Sequence, residues 1–305
     1  MCTGDKESKH DMRYEFHSGK DICKICKEEK ISISELMLRS DMEESMRTEK
    51  DIRDELKNNL SIMRSSIDSG LDENNHQHGM FTGGDAIKIA RFAGRANMGK
   101  GMAKIIASSM AVAETNASMG KIVAAPTAGA SGILPAVLIE CGENQRGFDE
   151  ETLINGLLTA GAIGCIIAEN ASIAGASGGC QAETGTAAAM GAAALAEMCK
   201  ATPEEAFSAA AIAIKNCLGL VCDPVAGLVE CPCIKRNAIA SANAILSADL
   251  VLSGISSLIP FDEVVQAMAN VGKSMHQDLR ETARGGLAAT NTAKGLTKSL
   301  NKRRG

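Results

Sequence analysis

Apolar residues recur at helical spacing along most of the chain, between stretches rich in glycine and polar residues. From residue 32 to residue 63, apolar positions such as Ile33 and Leu36 alternate with charged ones. Ser32 and Glu35 form a capping-box pattern at the start of this segment. The pattern predicts one or two amphipathic helices here.

Further helices are predicted downstream. Residues 102–119 return to a helical pattern, and residues 148–168 form a nearly wholly apolar stretch after an acidic start. A helix that is apolar all round is a buried one. Residues 202–205 combine an N-cap threonine, a proline and a capping glutamate. Residues 238–258 predict another helix, and a last one is expected to begin at or beside Asp262.

Strand periodicity is absent from the sequence pattern, since runs of β-branched and aromatic residues are short and alanine dominates the predicted core. The predicted fold class is therefore mainly α. Residues 1–31 are polar and predict a separate, poorly ordered N-terminal segment. Residues 32–305 are expected to form one helical domain.

Composition indicates the cellular compartment of the protein and argues against nucleic acid and membrane as its partners. The 305 residues carry a formal net charge of −5 and only 2% aromatic side chains, which argues against nucleic-acid binding. The longest apolar stretch, residues 156–168, is shorter than the roughly 18 to 20 residues that span a bilayer. Eleven cysteines without a signal peptide indicate a reducing compartment. We expect a soluble, cytoplasmic protein that binds no membrane.

Two glycine-bearing interruptions are candidate ligand sites. In the first, residues 125–132 read APTAGASG, where small residues allow a backbone to approach a ligand and direct its N–H groups at it. Thr127, Gly129 and Ser131 are the candidates there for binding a substrate carboxylate, and close helix packing through small residues is the alternative. In the second, Asn170 and Ser172 belong to a polar passage between buried segments and are further substrate-binding candidates.

Cysteines mark the remaining irregular passages. Residues 219–237 read GLVCDPVAGLVECPCIKRN, in which two prolines interrupt the apolar pattern. Upstream, Cys180 follows two glycines in GASGGCQAETG. Cys180 and Cys222 are 222 − 180 = 42 residues apart, and Cys222 and Cys233 are 233 − 222 = 11 apart. Thiols on non-helical backbone are suitable metal ligands.

These residues carry a family resemblance. GGCQAE, LVCDPVAGLVE and PCIKRN, together with TGGDA, APTAGASG and RGGLAAT elsewhere in the chain, resemble the α chain of iron–sulfur-dependent L-serine dehydratase. The resemblance implies a helical catalytic domain whose loops converge on a [4Fe–4S] cluster. It also implies that Cys180, Cys222 and Cys233 bind three irons, leaving the fourth as a Lewis acid for the serine hydroxyl. The implied products are pyruvate and ammonia.

Two residues beside Cys233 require separate assignments. Lys235 is the catalytic candidate within this chain, and it could instead bind the substrate carboxylate, neutralise the cluster or pair with Asp223. Cys231 is two residues from Cys233, but the family spacing falls on Cys233.

The resemblance also implies a partner. A β chain with a Ser-His-Thr motif, which carries the family's proposed proton-transferring histidine, has no counterpart in this sequence. The histidine nearest the cysteines in sequence is His276. We therefore expect a heteromer in which the β chain completes the site.

The same residues allow other interpretations. Cys23 and Cys26 form a single CxxC without a second pair, which is weak support for zinc. Residues 94–101 approach a phosphate-binding P-loop but end in glycine, without the hydroxyl that binds magnesium. No context for a pyridoxal phosphate lysine is evident. An iron–sulfur L-cysteine desulfidase and a non-catalytic cluster-binding sensor remain the alternative functions.

Overall fold

A computed structural model describes residues 13–75 and 78–304 of the chain. In this described part the chain forms helices connected by loops, with two isolated β-bridges and no strand. The α-helices are α1 (Gly19–Glu29), α2 (Ile33–Ser45), α3 (Glu49–Leu71), α4 (Asp85–Phe92), α5 (Lys100–Ala117), α6 (Ile133–Pro135), α7 (Glu150–Asn170), α8 (Gly175–Gly178), α9 (Thr186–Met198), α10 (Pro203–Lys215), α11 (Cys233–Leu252), α12 (Phe261–Ser274) and α13 (Asn291–Arg304). Two π-helical stretches, Ala136–Gln145 and Gln181–Gly185, lead on from α6 and into α9. The predicted mainly-α fold is confirmed.

Local capping explains where several helices begin. The Ser32 hydroxyl accepts a hydrogen bond from the backbone N–H of Glu35 at the start of α2. At α10, Thr202 and Glu205 form a reciprocal capping box with Pro203 in the first turn. Both starts were predicted from the sequence, because an N-cap satisfies free backbone N–H groups with residues only three positions away.

Helix α9 lies at the centre of the core. Twelve of its thirteen residues are buried, and all but a few are alanine, glycine or threonine. It packs against α7, α10 and α11. A Cβ atom added at Gly191 would lie 3.3 Å from the Cβ of Ala244 on α11, so the small residues allow these helices to approach closely. The loops that extend from this core carry the cysteines.

Helix α7 is longer than the apolar stretch that predicted it. By length and composition alone it is the one helix in the described part of the chain that could cross a membrane, with a most apolar 18-residue window of mean hydropathy 1.5. The apolar stretch of residues 156–168 stays shorter than a bilayer-spanning segment, and the helix is longer because it extends through polar residues at both ends. Packing accounts for its composition, since 67% of that window is buried and α7 contacts α2 and α9.

The N-terminal segment is described from residue 13 onward. Ser18 caps α1, whose Ile22 and Cys26 are 0% and 3% exposed and belong to the main core. Cys23 and Cys26 are one helical turn apart, and burial raises the pKa of each thiol to about 12. The division of the chain at residue 32 stays a prediction.

The sequence-based bounds of the cysteine-bearing helix require correction. The pattern predicted a helix from residue 238 to residue 258, whereas α11 begins at Cys233 and ends at Leu252. It begins earlier because Ile234 and Asn237 are buried and continue the inward face. It ends earlier because Gly254 adopts a φ of +93°, outside the helical region.

Candidate functional site

Three separate segments bring Cys180, Cys222 and Cys233 together. Cys180 immediately precedes the π-helical stretch that leads into α9. Cys222 lies in the irregular passage after α10, and Cys233 is the first residue of α11. We call these three residues the three-cysteine site. The three thiols are close enough to interact electrostatically, because the thiol of Cys180 raises the pKa of both other thiols.

The thiols are largely excluded from water. Cys180 and Cys222 are each 4% exposed, and Cys233 is partly buried. Burial is the main reason that all three pKa values are raised, and the carboxylate of Glu183 adds to the effect. The pKa of Cys233 rises to about 12. Without a cation these groups are therefore neutral thiols near pH 7.

The C-terminal loop holds Cys222 in position. The N–H of Cys222 donates to the carbonyl of Leu279 (2.8 Å), and the carbonyl of Cys222 accepts from the N–H of Glu281 (2.7 Å). This short pairing also forms the isolated bridge between Cys222 and Arg280. These two contacts fix the backbone that carries the Cys222 thiol.

An ion pair connects the neighbours of two of the cysteines. Arg236 Nη2 lies 2.9 Å from Asp223 Oδ1, in an ion pair whose geometry is off the hydrogen-bond direction. Arg236 Nη1 donates to the carbonyl of Val221 (2.7 Å), and its charge opposes the effect of burial on the pKa of Cys180. Asp223 Oδ2 accepts from the N–H of Leu287 (2.7 Å). Gly286 is needed beside it, because its φ is +56° and a Cβ there would overlap the Asp223 carboxylate.

The glycine-rich loop of residues 127–132 is attached to the same place. Asn237, one turn into α11, accepts from the N–H of Gly132 (3.0 Å) and donates to the carbonyls of Gly129 (2.7 Å) and Cys233 (2.9 Å). At the loop's other end the Thr127 hydroxyl donates to Glu183 Oε1 (3.0 Å). This loop, called here the 127–132 loop, is therefore fixed to two of the cysteine-bearing segments.

Glu183 lies between the 127–132 loop and Cys222. Its Oε2 accepts a long hydrogen bond from Cys222 Sγ (3.9 Å), and burial raises the pKa of its carboxyl. Gly175 is equally close, since a Cβ there would lie 2.8 Å from both Cys222 Sγ and Glu183 Oε2. Glycine at this position leaves space for the thiol and the carboxylate.

The donor set fits the iron–sulfur cluster that the resemblance implies. Three cysteine sulfurs lie at one site with a helix N-terminus at Cys233 and a guanidinium near Cys180, and both favour thiolates. A bound metal deprotonates a coordinating thiol outright, which overcomes the raised pKa values. No group of three or more His, Cys, Asp or Glu in the described residues is arranged for a single metal ion. A cluster distributes its irons over a wider volume, so its thiolates need not converge on one point.

Lys235 and Cys231, each two residues from Cys233, make other contacts. The Lys235 ammonium pairs with Asp85 on α4 at 3.0 Å, and its side chain is 65% exposed. Cys231 is exposed, and the N–H of Val225 donates to its carbonyl. Asp223, the alternative partner expected for Lys235, pairs with Arg236 instead.

The remaining candidates are spread out. Ser131 is 1% exposed, and its hydroxyl has no hydrogen-bond partner in the described part of the chain. Asn170 donates to the carbonyl of His17 (2.8 Å), away from the 127–132 loop. Ser172 accepts from the N–H of Ala174 (3.1 Å) and lines a cavity of ≈ 120 Å³ with Gln181 and Met268. His276 is exposed and its ring contacts Asp278.

Sequence reasoning did not select the two side chains that organise the site. Glu183 appeared only as a letter of GASGGCQAETG, and Asn237 only as the last letter of PCIKRN. Asn237 had a signal, because an amide four residues after Cys233 returns to the same side of an α-helix. Glu183 had no such signal, because the turn after Cys180 is π-helical. Glu230 was missed as well. It is 4% exposed and accepts from the N–H groups of residues 80, 81 and 82, which holds the TGGDA loop against the cysteine-bearing passage.

The fold and the site together define a class: a helical protein with a buried site of three cysteines, a carboxylate and a glycine-rich loop. The family comparison agrees with this class. Residues 28–288 match the family model described as "Serine dehydratase alpha chain". The chain belongs to the serine dehydratase α-chain family.

Individual relatives cover nearly the whole chain. A "Probable L-serine dehydratase, alpha chain" of Bacillus subtilis is 46% identical over 287 residues, which is 93% of this chain and 95% of that protein. The "L-serine dehydratase, alpha chain" of Peptoniphilus asaccharolyticus is also 46% identical, over 93% of this chain and 98% of that one. An "L-serine dehydratase" of Streptomyces coelicolor is 40% identical over 91% of this chain, but the match spans only 61% of that longer protein.

Proposed function

We propose that this chain is the catalytic α chain of an iron–sulfur L-serine dehydratase, which converts L-serine to pyruvate and ammonia. The single observation that carries the proposal is the meeting of Cys180, Cys222 and Cys233 from three separate segments beside the 127–132 loop. Family membership and the names of the full-length relatives support the same activity.

In this proposal the three cysteines hold a [4Fe–4S] cluster. When bound, the cluster supplies a Lewis-acidic iron that helps the serine β-hydroxyl to leave. The chain's own residues do the rest of the positioning. The ion pair of Arg236 with Asp223 keeps two of the cysteine segments in register, and burial excludes water that would compete for the metal.

The 127–132 loop is the proposed site for the substrate carboxylate. Thr127 and Gly129 border Glu183, and the buried, unpartnered hydroxyl of Ser131 is a donor available for a ligand. Asn170 and Ser172 were the other substrate-binding candidates. Their present contacts, with His17 and Ala174, give the proposal no further support.

A partner chain is the proposed source of the proton-transferring group. Elimination from serine needs a base beside the α-carbon, and histidine is the usual group near neutral pH. Lys235 is paired with Asp85, and His276 is exposed on Asp278. The longer Streptomyces relative, of which this chain matches 61%, is consistent with a second part that other members carry separately. We propose that a β chain with a Ser-His-Thr segment docks near the 127–132 loop.

The test is anaerobic reconstitution of the chain with iron and sulfide, followed by cluster absorbance and assays with L-serine, L-cysteine and L-threonine, before and after adding the β chain. We expect cluster absorbance in the chain alone and serine turnover mainly with the partner. Full activity of the chain alone that is abolished by Lys235→Met or His276→Gln would place the base within it. Turnover of L-cysteine in preference to L-serine would replace the proposal by a desulfidase.

Cysteine variants test the ligand assignment. Cys180→Ala, Cys222→Ala and Cys233→Ala should each lose both cluster absorbance and turnover, because each removes one thiolate. Cys231→Ala is the matched control, since it removes an exposed thiol two residues away, and it should keep most of both. Loss of iron in the Cys231 variant with retention in Cys233→Ala would contradict the assignment.

A further inference from the structure

Glu183 is a carboxylate without a cationic partner inside the three-cysteine site. Its recorded side-chain hydrogen bonds are to the Thr127 hydroxyl (3.0 Å) and the Cys222 thiol (3.9 Å). It forms no salt bridge with any residue in the described part of the chain. The guanidinium in the same site, that of Arg236, is taken up by Asp223 and the carbonyl of Val221.

The groups around Glu183 are negatively charged or become so when a metal group is bound, which makes its ionised carboxylate costly without a nearby cation. Burial raises the pKa of its carboxyl, and the negative charge of Glu281 adds to this effect. Cysteines that hold a metal group are thiolates, and Cys222 lies against the same carboxylate oxygen. A partly buried anion among other anions is costly unless a cation is brought to it. The guanidinium of Arg236 in the described part of the site is already paired with Asp223, so a ligand is the remaining source of a cation.

An amino-acid substrate carries such a cation on its α-carbon. We propose that Glu183 binds the α-ammonium group of the amino-acid substrate and thereby selects amino acids over hydroxy acids. The inference rests on the proposed function and adds the residue that recognises the third substituent of the α-carbon. With the carboxylate at the 127–132 loop and the hydroxyl at the metal, the ammonium is the group left without a partner.

The glycines around Glu183 leave space for this group. A Cβ atom at Gly129 would lie 3.4 Å from Glu183 Oε1 and 3.6 Å from Val229 Cγ1. A side chain there would therefore occupy the face of the carboxylate that adjoins the 127–132 loop. Thr127 holds Oε1 from one side with its hydroxyl, which fixes the direction of the remaining lone pairs. The carboxylate is thus oriented before a substrate arrives.

The test uses the anaerobically reconstituted complex with its β chain and the variant Glu183→Gln, which keeps the shape and removes the charge. Because the variant loses a charged hydrogen-bonding partner, we expect the KM for L-serine to rise about 100-fold. Cluster absorbance should be unchanged. Glu183→Asp should keep part of the affinity, because it keeps the charge at a shorter reach.

Calorimetry supplies a readout that does not depend on turnover. L-Alanine and L-lactate have the same shape, lack a leaving group and differ in carrying an ammonium or a hydroxyl. The wild-type complex should bind L-alanine more tightly than L-lactate, and Glu183→Gln should remove that preference. Glu281→Gln is the matched control, since it removes an exposed neighbouring charge, and it should change the KM by less than about threefold.

The outcomes separate this inference from the proposed function. Equal binding of L-alanine and L-lactate by the wild type would overturn it, and so would an unchanged preference in Glu183→Gln. Loss of cluster absorbance in Glu183→Gln would also overturn it, because it would assign the residue to cluster binding. Absence of serine deamination in the wild-type complex would instead overturn the proposed function, while the two calorimetric titrations would still decide whether Glu183 binds an ammonium group.

Discussion

Replacing Asp223 with asparagine should weaken the fold around the three-cysteine site far more than the same change at Asp85. The two aspartates pair with consecutive residues of α11, Asp223 with Arg236 and Asp85 with Lys235. Asparagine keeps an oxygen for the N–H of Leu287 but removes the charge that faces the guanidinium. Asp85 also pairs with Lys88 at 2.8 Å, so the comparison sets one buried ion pair against two that involve exposed lysines.

The expected loss of unfolding free energy in each variant follows from the exposure of the paired side chains. The side chains of Asp223 and Arg236 are 3% and 14% exposed, whereas that of Lys235 is 65% exposed. Removing one member of a buried pair leaves an uncompensated charge and costs about 3 kcal/mol or more, and Arg236's partial exposure favours the lower end. An exposed pair contributes at most about 1 kcal/mol. We expect a difference of at least about 2 kcal/mol in the free energy of unfolding between the two variants.

Urea unfolding of the cluster-free chain, followed by circular dichroism, measures this difference. With a slope of about 3 kcal/mol per molar urea for a chain of this size, Asp223→Asn should lower the midpoint by about 1 M. Asp85→Asn should lower it by no more than about a third of that. Equal midpoints for the two variants would refute the reasoning, because burial would then make no difference to the ion pair.

Three further predictions concern the same region. Gly175→Ala should prevent cluster binding without loss of helical circular dichroism, because its methyl carbon would lie 2.8 Å from Cys222 Sγ; retained cluster absorbance would contradict this. In the cluster-free chain at pH 8, mass spectrometry should find the exposed Cys231 alkylated before Cys233, since a pKa of about 12 leaves roughly one in 10⁴ Cys233 thiols ionised; faster labelling of Cys233 would be the contrary result. Glu230→Gln should speed hydrogen exchange at residues 80–82, measured by mass spectrometry, because it weakens three N–H contacts.

The parts of the fold that the sequence predicted are those governed by neighbouring residues. The caps at Ser32 and Thr202 join residues three positions apart, so the local pattern contains them. The end of α11 did not follow from its apolar pattern, because the apolar residues from Ile255 to Ile259 continue beyond Gly254. Local pattern predicts which segments are helical more firmly than it predicts where they end.

The site's internal contacts could not be predicted in this way. Glu183 meets Thr127 across 56 residues, and Asn237 meets Gly132 across 105. Nothing in the spacing of either pair specifies these contacts, which depend on how α9 and α11 pack in the core. The cysteines were found because the resemblance marked their motifs. The side chains between the cysteines and the 127–132 loop became evident only with the packing of the helices.

The register of α11 explains why adjacent residues have different partners. Because the helix begins at Cys233, Arg236 and Asn237 follow it by three and four residues and return to its side, where they meet Asp223 and Gly129. Lys235 follows by two residues, or about 200° around the helix axis, and so faces the opposite side. Its pairing with Asp85 is therefore a consequence of the helix start. A group that transfers a proton at the three-cysteine site is then more readily supplied by a partner chain than by Lys235.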